Sequence, residues 1–247
     1  METGLNSEIF RDLFDQVYVI NLPDRIDRKN EILAQLKKIG LSFESPLVQL
    51  FPAVRPEDKG AFPSVGARGC FLSHLGVLRN AIEARHKSIL ILEDDVDWTP
   101  AALAAGGNLS SVLKGSDWDF LHGGLGNDAG KSTTNDFCLN ALKYDESIML
   151  AHFVGMRGKT IALAHNYLEA LLGRPPGSPL GGPMHVDGAY NWLRREHSEL
   201  RGYVCLPSIA RQRPSTSDIT PATGFKALPV VSHVLAIVRT VRKRFKK

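Results

Sequence analysis

Apolar positions follow two rhythms along this chain, a short β-strand run and a helical spacing, and the two take turns. Val17-Tyr-Val-Ile-Asn-Leu22 is a β-branched and aromatic run that predicts a buried strand, closed by Pro23. Asp24 can cap the helix that follows, where Ile32, Leu33, Leu36 and Ile39 share one face and Gly40 marks the stop. A looser stretch carries Pro46, Pro52, Pro56 and Pro63. The spacing then predicts a second helix from about Leu72 to His86, with Leu72, Leu75, Leu78 and Ile82 inward. Ser88-Ile-Leu-Ile-Leu92 is the clearest buried strand, and it runs straight into Glu93-Asp94-Asp95.

Thr99-Pro100 opens another helix, Trp118-Asp-Phe-Leu121 reads as a strand, and Gly123-Gly-Leu-Gly126 as a loop. Thr160-Ile-Ala-Leu-Ala164 followed by Tyr167 to Leu172 suggests a further strand-helix unit, ended by Gly173 and Pro175-Pro176, and a last helix spans Ala189 to Arg195. Strands alternating with helices predict an α/β fold with a Rossmann-like, mostly parallel sheet covered on both faces. In such sheets ligands bind beyond the carboxyl ends of the strands, where the acidic triplet falls.

Composition adds little to this picture. With 247 residues, 43% apolar and 23% charged, the chain has the make-up of a globular protein with an ample core, expected as one domain over residues 1–228 and a terminal segment over 229–247. The net charge of +4 is local, because six basic residues lie between Arg239 and Lys247 and the rest holds 24 basic against 26 acidic. That end, an apolar stretch from Val230 running into Arg-Lys-Arg-Phe-Lys-Lys, can lie on an anionic membrane surface; it reads equally as a terminal helix with a solvated basic end. Nucleic acid is not the expected partner, since aromatic residues do not interleave with the charges. No basic-then-apolar leader opens the sequence, and no apolar run reaches the ~18 residues of a spanning helix. Cys70, Cys138 and Cys205 fit neither a disulfide framework nor a zinc knuckle. The expected location is the cytoplasm, with peripheral contact at the inner face of the membrane.

Three constellations carry chemistry. Glu93, Asp94 and Asp95 would repel one another and lose hydration unless a cation or strong donor sits among them. Mg²⁺ or Mn²⁺ suits such carboxylates and leaves positions for phosphate oxygens, although an acid triplet can also cap a turn or face solvent. Asn21, Arg25, Asp27 and Arg28 follow the first strand, where a helix start favours anions and arginine forks suit phosphate; helix-surface ion pairs are the plainer reading. Gly66-Ala-Arg-Gly-Cys-Phe-Leu-Ser-His74 places small residues before a helix expected to carry Ser73 and His74 in its first turn, with Gly69 allowing close backbone approach to a ligand. Cys70 and His74 can equally be core residues. No acyl-transfer arrangement is present in the sequence.

These three segments, Val17–Arg28, Gly66–His74 and Ile89–Asp95, resemble in order and spacing glycosyltransferase family 25, the lipopolysaccharide and lipooligosaccharide glycosyltransferases that also include collagen galactosyltransferase domains. The resemblance is strong over residues 15 to 98 and thinner from Thr160 to Asp218. It implies a GT-A-like fold, a UDP-hexose donor (galactose or glucose), Mn²⁺ or Mg²⁺, and inverting transfer to a glycan, lipid-linked or protein-linked acceptor. By the same analogy Asp95 with Glu93 or Asp94 holds the metal and contacts the donor, and Arg25 and Arg28 serve the nucleotide. Inversion needs a general base. Asp187 in Gly181-Gly-Pro-Met-His-Val-Asp187 is the candidate, although it can simply cap the helix after it; His185 is a further metal or phosphate ligand candidate. Pro207, Gln212, Ser215, Ser217 and Asp218 match trailing family positions without an assigned role. Two alternatives stay open: nucleotidyl transfer or phosphate-ester hydrolysis at the same acids, and a catalytically silent nucleotide-sugar binder or membrane-associated scaffold.

Overall fold

The computed structural model describes residues 4–104, 108–125 and 136–214. Gly126, Ser215, Ser217, Asp218 and the basic segment 229–247 lie outside the described residues. The described elements run α1 (Ser7–Leu13), β1 (Gln16–Asn21), α2 (Ile26–Lys38), β2 (Val48–Pro52), α3 (Val65–Glu83), β3 (Ser88–Glu93), β4 (Val96–Trp98), α4 (Pro100–Ala104), α5 (Asn108–Lys114) and β5 (Phe120–His122). They continue with β6 (Cys138–Leu142), β7 (Phe153–Arg157), α6 (Lys159–Leu172), α7 (Val186–Glu196), β8 (Gly202–Leu206) and β9 (Ala210–Gln212).

Seven strands form one sheet in the order β2-β1-β3-β7-β5-β8-β6. β1 pairs in parallel with β2 and β3, and β5 with β8, while β7 and β6 run against their neighbours. Five strands therefore point one way, and the expected α/β, mostly parallel architecture is present. Strand alternation divides the core between two faces. Val17, Val19, Leu90 and Leu92 meet Phe10, Ile32, Leu36 and Leu113 on one side. Tyr18, Ile20, Ile89 and Ile91 meet Phe71, Leu78, Leu168 and Leu193 of α3, α6 and α7 on the other. Both flanks are apolar, so the inner strands are hydrophobic throughout, as strands buried on two faces require.

The β1, α2 and β3 spans hold, and four other readings change. The segment Thr160–Ala164, expected as a strand, belongs to α6; the strand before it is β7, broken only by Gly158 at a φ of 55°. Ile161, Ala164, Leu168 and Leu171 are all buried, a helical stripe that a short apolar run conceals. α3 starts at Val65, seven residues before the expected start, with the Ser64 hydroxyl accepting from Ala67 N. Gly66 to Cys70 are thus helical, and Ser73 and His74 sit deeper in the helix than its first turn. Asp24 does not cap α2 but pairs with Arg55, and α7 starts at Val186, so Asp187 lies within its first turn. A second, two-stranded sheet of β4 and β9 lies just beyond the acidic triplet in sequence. Among the described residues no helix is long and apolar enough to cross a membrane.

Candidate functional site

The triplet sits where β3 ends and the chain turns into β4, and its three carboxylates have three different surroundings. Asp94, 7% exposed, accepts from Asn21 Nδ2 at 2.8 Å and from Arg28 Nη1 at 3.1 Å. Burial pushes its pKa up against those two donors, and the upward push wins. Asn21 and Arg28, expected near nucleotide phosphate, are thereby joined to the triplet: Asn21 closes β1 beside β3, and Arg28 reaches across from the first turn of α2. Arg25 instead grips Asp27 with two hydrogen bonds of 3.0 and 2.9 Å.

Glu93 faces α3 and α7. Its Oε1 lies 3.3 Å from His74 Nε2 and 3.3 Å from Cys70 Sγ, and the Tyr190 hydroxyl meets His74 Nδ1 at 3.0 Å. Burial raises the Glu93 carboxyl, but His74, His152 and Cys70 together outweigh it and the pKa is lowered on balance. Cys70, His74 and Glu93 present ligand atoms within 4.8 Å of one another and form a described group able to hold a cation by count; hydrogen bonds already engage Glu93 Oε1, the Cys70 thiol and both His74 nitrogens. The Cys70 thiol is raised well above the usual range by burial, then by Glu93, with lesser contributions from Asp187 and Asp95. It is therefore a poor nucleophile.

Asp95 differs. It is 6% exposed, its Oδ2 accepts from Gln212 Nε2 at 2.9 Å, and its Oδ1 is buried with no hydrogen-bond partner. Burial, followed by the Glu93 charge, raises its pKa from 3.8 to about 7. A buried carboxylate oxygen facing nothing costs about 1–3 kcal/mol or more, and groups of this kind call for an absent ion or water. A hard divalent cation answers both the orphan atom and the crowded negative charge. Asp95 fits that ion; Glu93 Oε1 is already committed to His74 and Cys70.

The remaining expected site residues separate into contacts and struts. Asp187 accepts from Gly188 N at 2.7 Å, and His185 is the exposed residue before α7, making no capping bond. Ser73 Oγ accepts from Val54 N at 2.8 Å and donates to Gly69 O at 2.7 Å. A Cβ on Gly69 would stand 2.6 Å from Val54 O. Ser73 and Gly69 thus fasten α3 to the chain leaving β2, and the close approach that Gly69 allows is to backbone. Sequence reasoning missed two buried histidines, His122 at the end of β5 and His152 just ahead of β7, whose carbonyl accepts from Glu93 N at 3.0 Å. They are 3% and 2% exposed with no hydrogen-bond partner on either ring, although His152 lies close to the Ala210 backbone. Burial holds both neutral, His122 down to about 3. Their only signal in sequence was position at a strand's end.

The arrangement, then, is an α/β sheet with a buried carboxylate, one oxygen of it without a partner, just past the carboxyl end of a central strand. Residues 14–128 match the model of glycosyltransferase family 25 (LPS biosynthesis protein), so the resemblance read from the motifs is borne out over that segment. The chain is 27% identical over 130 residues to a glycosyltransferase 25 family member of Anopheles gambiae, a match covering 44% of this chain and 21% of that protein. Over 99 residues it is 29% identical to procollagen galactosyltransferase 2 of Homo sapiens, covering 34% and 16% of the two chains. It is also 29% identical over 99 residues to the inactive glycosyltransferase 25 family member 3 of Homo sapiens, covering 34% and 17%. The chain matches only about a fifth of the length of these relatives. Among solved structures, a glycosyltransferase involved in glycosylation of the major capsid of PBCV-1 aligns over 78% of this chain and 93% of its own, at 10% identity and a TM-score of 0.36.

Proposed function

We propose that this chain is a metal-dependent glycosyltransferase that moves a hexose, galactose or glucose, from a UDP-sugar to a saccharide or glycoconjugate acceptor with inversion. The observation that carries the reading is the buried, unpartnered Oδ1 of Asp95, at the end of a parallel strand inside the family-25 segment. When bound, Mn²⁺ or Mg²⁺ supplies positive charge for the departing diphosphate. Asp95 holds that ion, Asp94 and Glu93 stand beside it on their own donors, Arg28 and Asn21 for Asp94 and His74 and Cys70 for Glu93, and Arg25 serves the nucleotide phosphates. Asp187 takes the proton from the attacking acceptor hydroxyl, which becomes nucleophilic as the sugar–phosphate bond breaks. His185, exposed ahead of α7, is a further metal or phosphate ligand in this reading. The family description supports an acceptor in lipopolysaccharide or another envelope glycan, and the basic segment 229–247 supports peripheral contact with an anionic membrane.

Calorimetric titration of the purified chain with UDP-galactose, UDP-glucose and UDP-GlcNAc, with and without Mn²⁺, tests the donor. Binding of one UDP-sugar that needs both Mn²⁺ and an intact Asp95 is expected; absence of UDP-dependent binding under any metal condition refutes the assignment. Asp187→Asn is expected to keep that binding and lose transfer. One relative is named inactive, which favours keeping the silent binder as the second reading. It predicts donor binding with no UDP released in the presence of any glycan acceptor.

A further inference from the structure

Asp95 lies in the turn between β3 and β4, where a side chain on a two-residue connection is ordinarily free to swing. Here it is fixed from outside the family-25 segment, by β9. Arg213 N donates to Asp95 O at 2.7 Å, and Val96 stands in register with Gln212. Gln212 Nε2 donates to Asp95 Oδ2 at 2.9 Å. β9 is itself anchored: the Arg213 guanidinium binds Asp97 Oδ1 at 2.7 and 3.1 Å, and it also pairs with Glu31.

The structure assigns Gln212, we infer, as a positioning residue for the cation: its carboxamide holds one Asp95 oxygen so that the other is presented to the metal. This rests on the cation-dependent reading above. The chemistry favours an amide at this place. A lysine or arginine would neutralise Asp95 and compete with the ion, whereas a neutral donor orients the carboxylate and leaves its full charge available. Occupying Oδ2 also explains why only Oδ1 of Asp95 is without a partner. Gln212 is an exposed residue whose side chain turns inward at its tip, so the substitution that removes the donor disturbs little packing.

The test uses Gln212→Met, which keeps length and removes the donor, with Mn²⁺ affinity of the whole chain read by calorimetry in the presence of UDP. Outer partners of this kind commonly account for about 10- to 100-fold in metal affinity. A rise of about tenfold or more in the Mn²⁺ Kd is expected, in a chain that stays folded with a modestly lowered thermal midpoint because Asp95 Oδ2 loses its donor. Wild-type binding with an unaltered Kd in Gln212→Met overturns the positioning role and leaves the glycosyltransferase reading standing. No Mn²⁺ binding by the wild type overturns both. A second readout needs no variant: Mn²⁺ should broaden the Gln212 side-chain NH₂ resonance of the wild-type chain at sub-stoichiometric metal. A resonance that keeps its width while UDP-dependent Mn²⁺ binding proceeds also overturns the role.

Discussion

Replacing Asp95 by Asn should stabilise the metal-free chain at pH 8 while removing its cation site. Asp95 is raised from 3.8 to about 7 by burial and by the Glu93 charge. The folded chain therefore holds this proton more tightly than the unfolded one. Between about pH 4 and 7 the folded state binds more protons, so the Asp95 contribution to stability falls as pH rises through that window and is flat above it. A rise of that size corresponds to about 4 kcal/mol at most, and relaxation of the folded chain around the charge leaves roughly 2–4 kcal/mol. Asn removes the penalty while it can keep the Gln212 bond. For a chain of this size the gain corresponds to about 5–15 °C in midpoint at pH 8, shrinking towards zero near pH 4. Thermal unfolding followed by circular dichroism from pH 4 to 8 in chelator measures it. Millimolar Mn²⁺ should return the wild type towards the variant, because it binds only the folded state, and should leave Asp95→Asn unmoved. A variant no more stable than wild type at pH 8, or a difference independent of pH, would refute the account.

Three further outcomes follow from the same geometry. Arg28→Met removes a buried cation from Asp94 and should cost about 2–4 kcal/mol in denaturant unfolding at pH 7, less at pH 4 where Asp94 can protonate. Tyr190→Phe strips the hydroxyl from His74 Nδ1 in a sealed site, for a loss of about 1–2 kcal/mol; an unchanged denaturation midpoint would mean that the Tyr190–His74 bond adds no net stability. Gly69→Ala drives a Cβ against Val54 O and should lower stability by about 1–3 kcal/mol, or require a visible shift of α3 in a crystal structure of the variant.

What the sequence made legible is what local pattern encodes. The β1 and β3 runs, the α2 stripe and the acidic triplet at a strand's end could be read because alternation, spacing and punctuation all lie within a few residues of one another. α3 was truncated because Gly66 and Gly69 look like loop residues. Their helical role becomes visible only when Gly69 meets Val54 O, a contact between segments 15 residues apart in sequence. β7 and α6 were misread because one short apolar run fits either element, and the choice is made by the antiparallel pairing of β7 with β3 and β5. The site follows the same rule. Adjacency could say that three acids after a strand call for a cation or strong donors, yet which acid keeps an oxygen without a partner depends on Asn21 and Arg28 engaging Asp94, on His74 and Cys70 engaging Glu93, and on Gln212 engaging only Asp95 Oδ2.

That division gives the triplet a physical logic. Three ionised carboxylates in a row are self-repelling, and the fold assigns the charge of two of them to permanent donors, an arginine for Asp94 and a histidine and thiol for Glu93. The Asp95 side chain is given only a neutral amide, and it keeps an oxygen buried without a partner. On the proposed cation-dependent reading, such a site is destabilised in the metal-free chain and gains stability from the ion, so the strain held by the free chain becomes binding energy for the loaded one. The cost to the fold and the affinity for metal are then two measurements of one quantity, and substitutions at Asp95 should move metal-free stability and metal affinity in opposite directions.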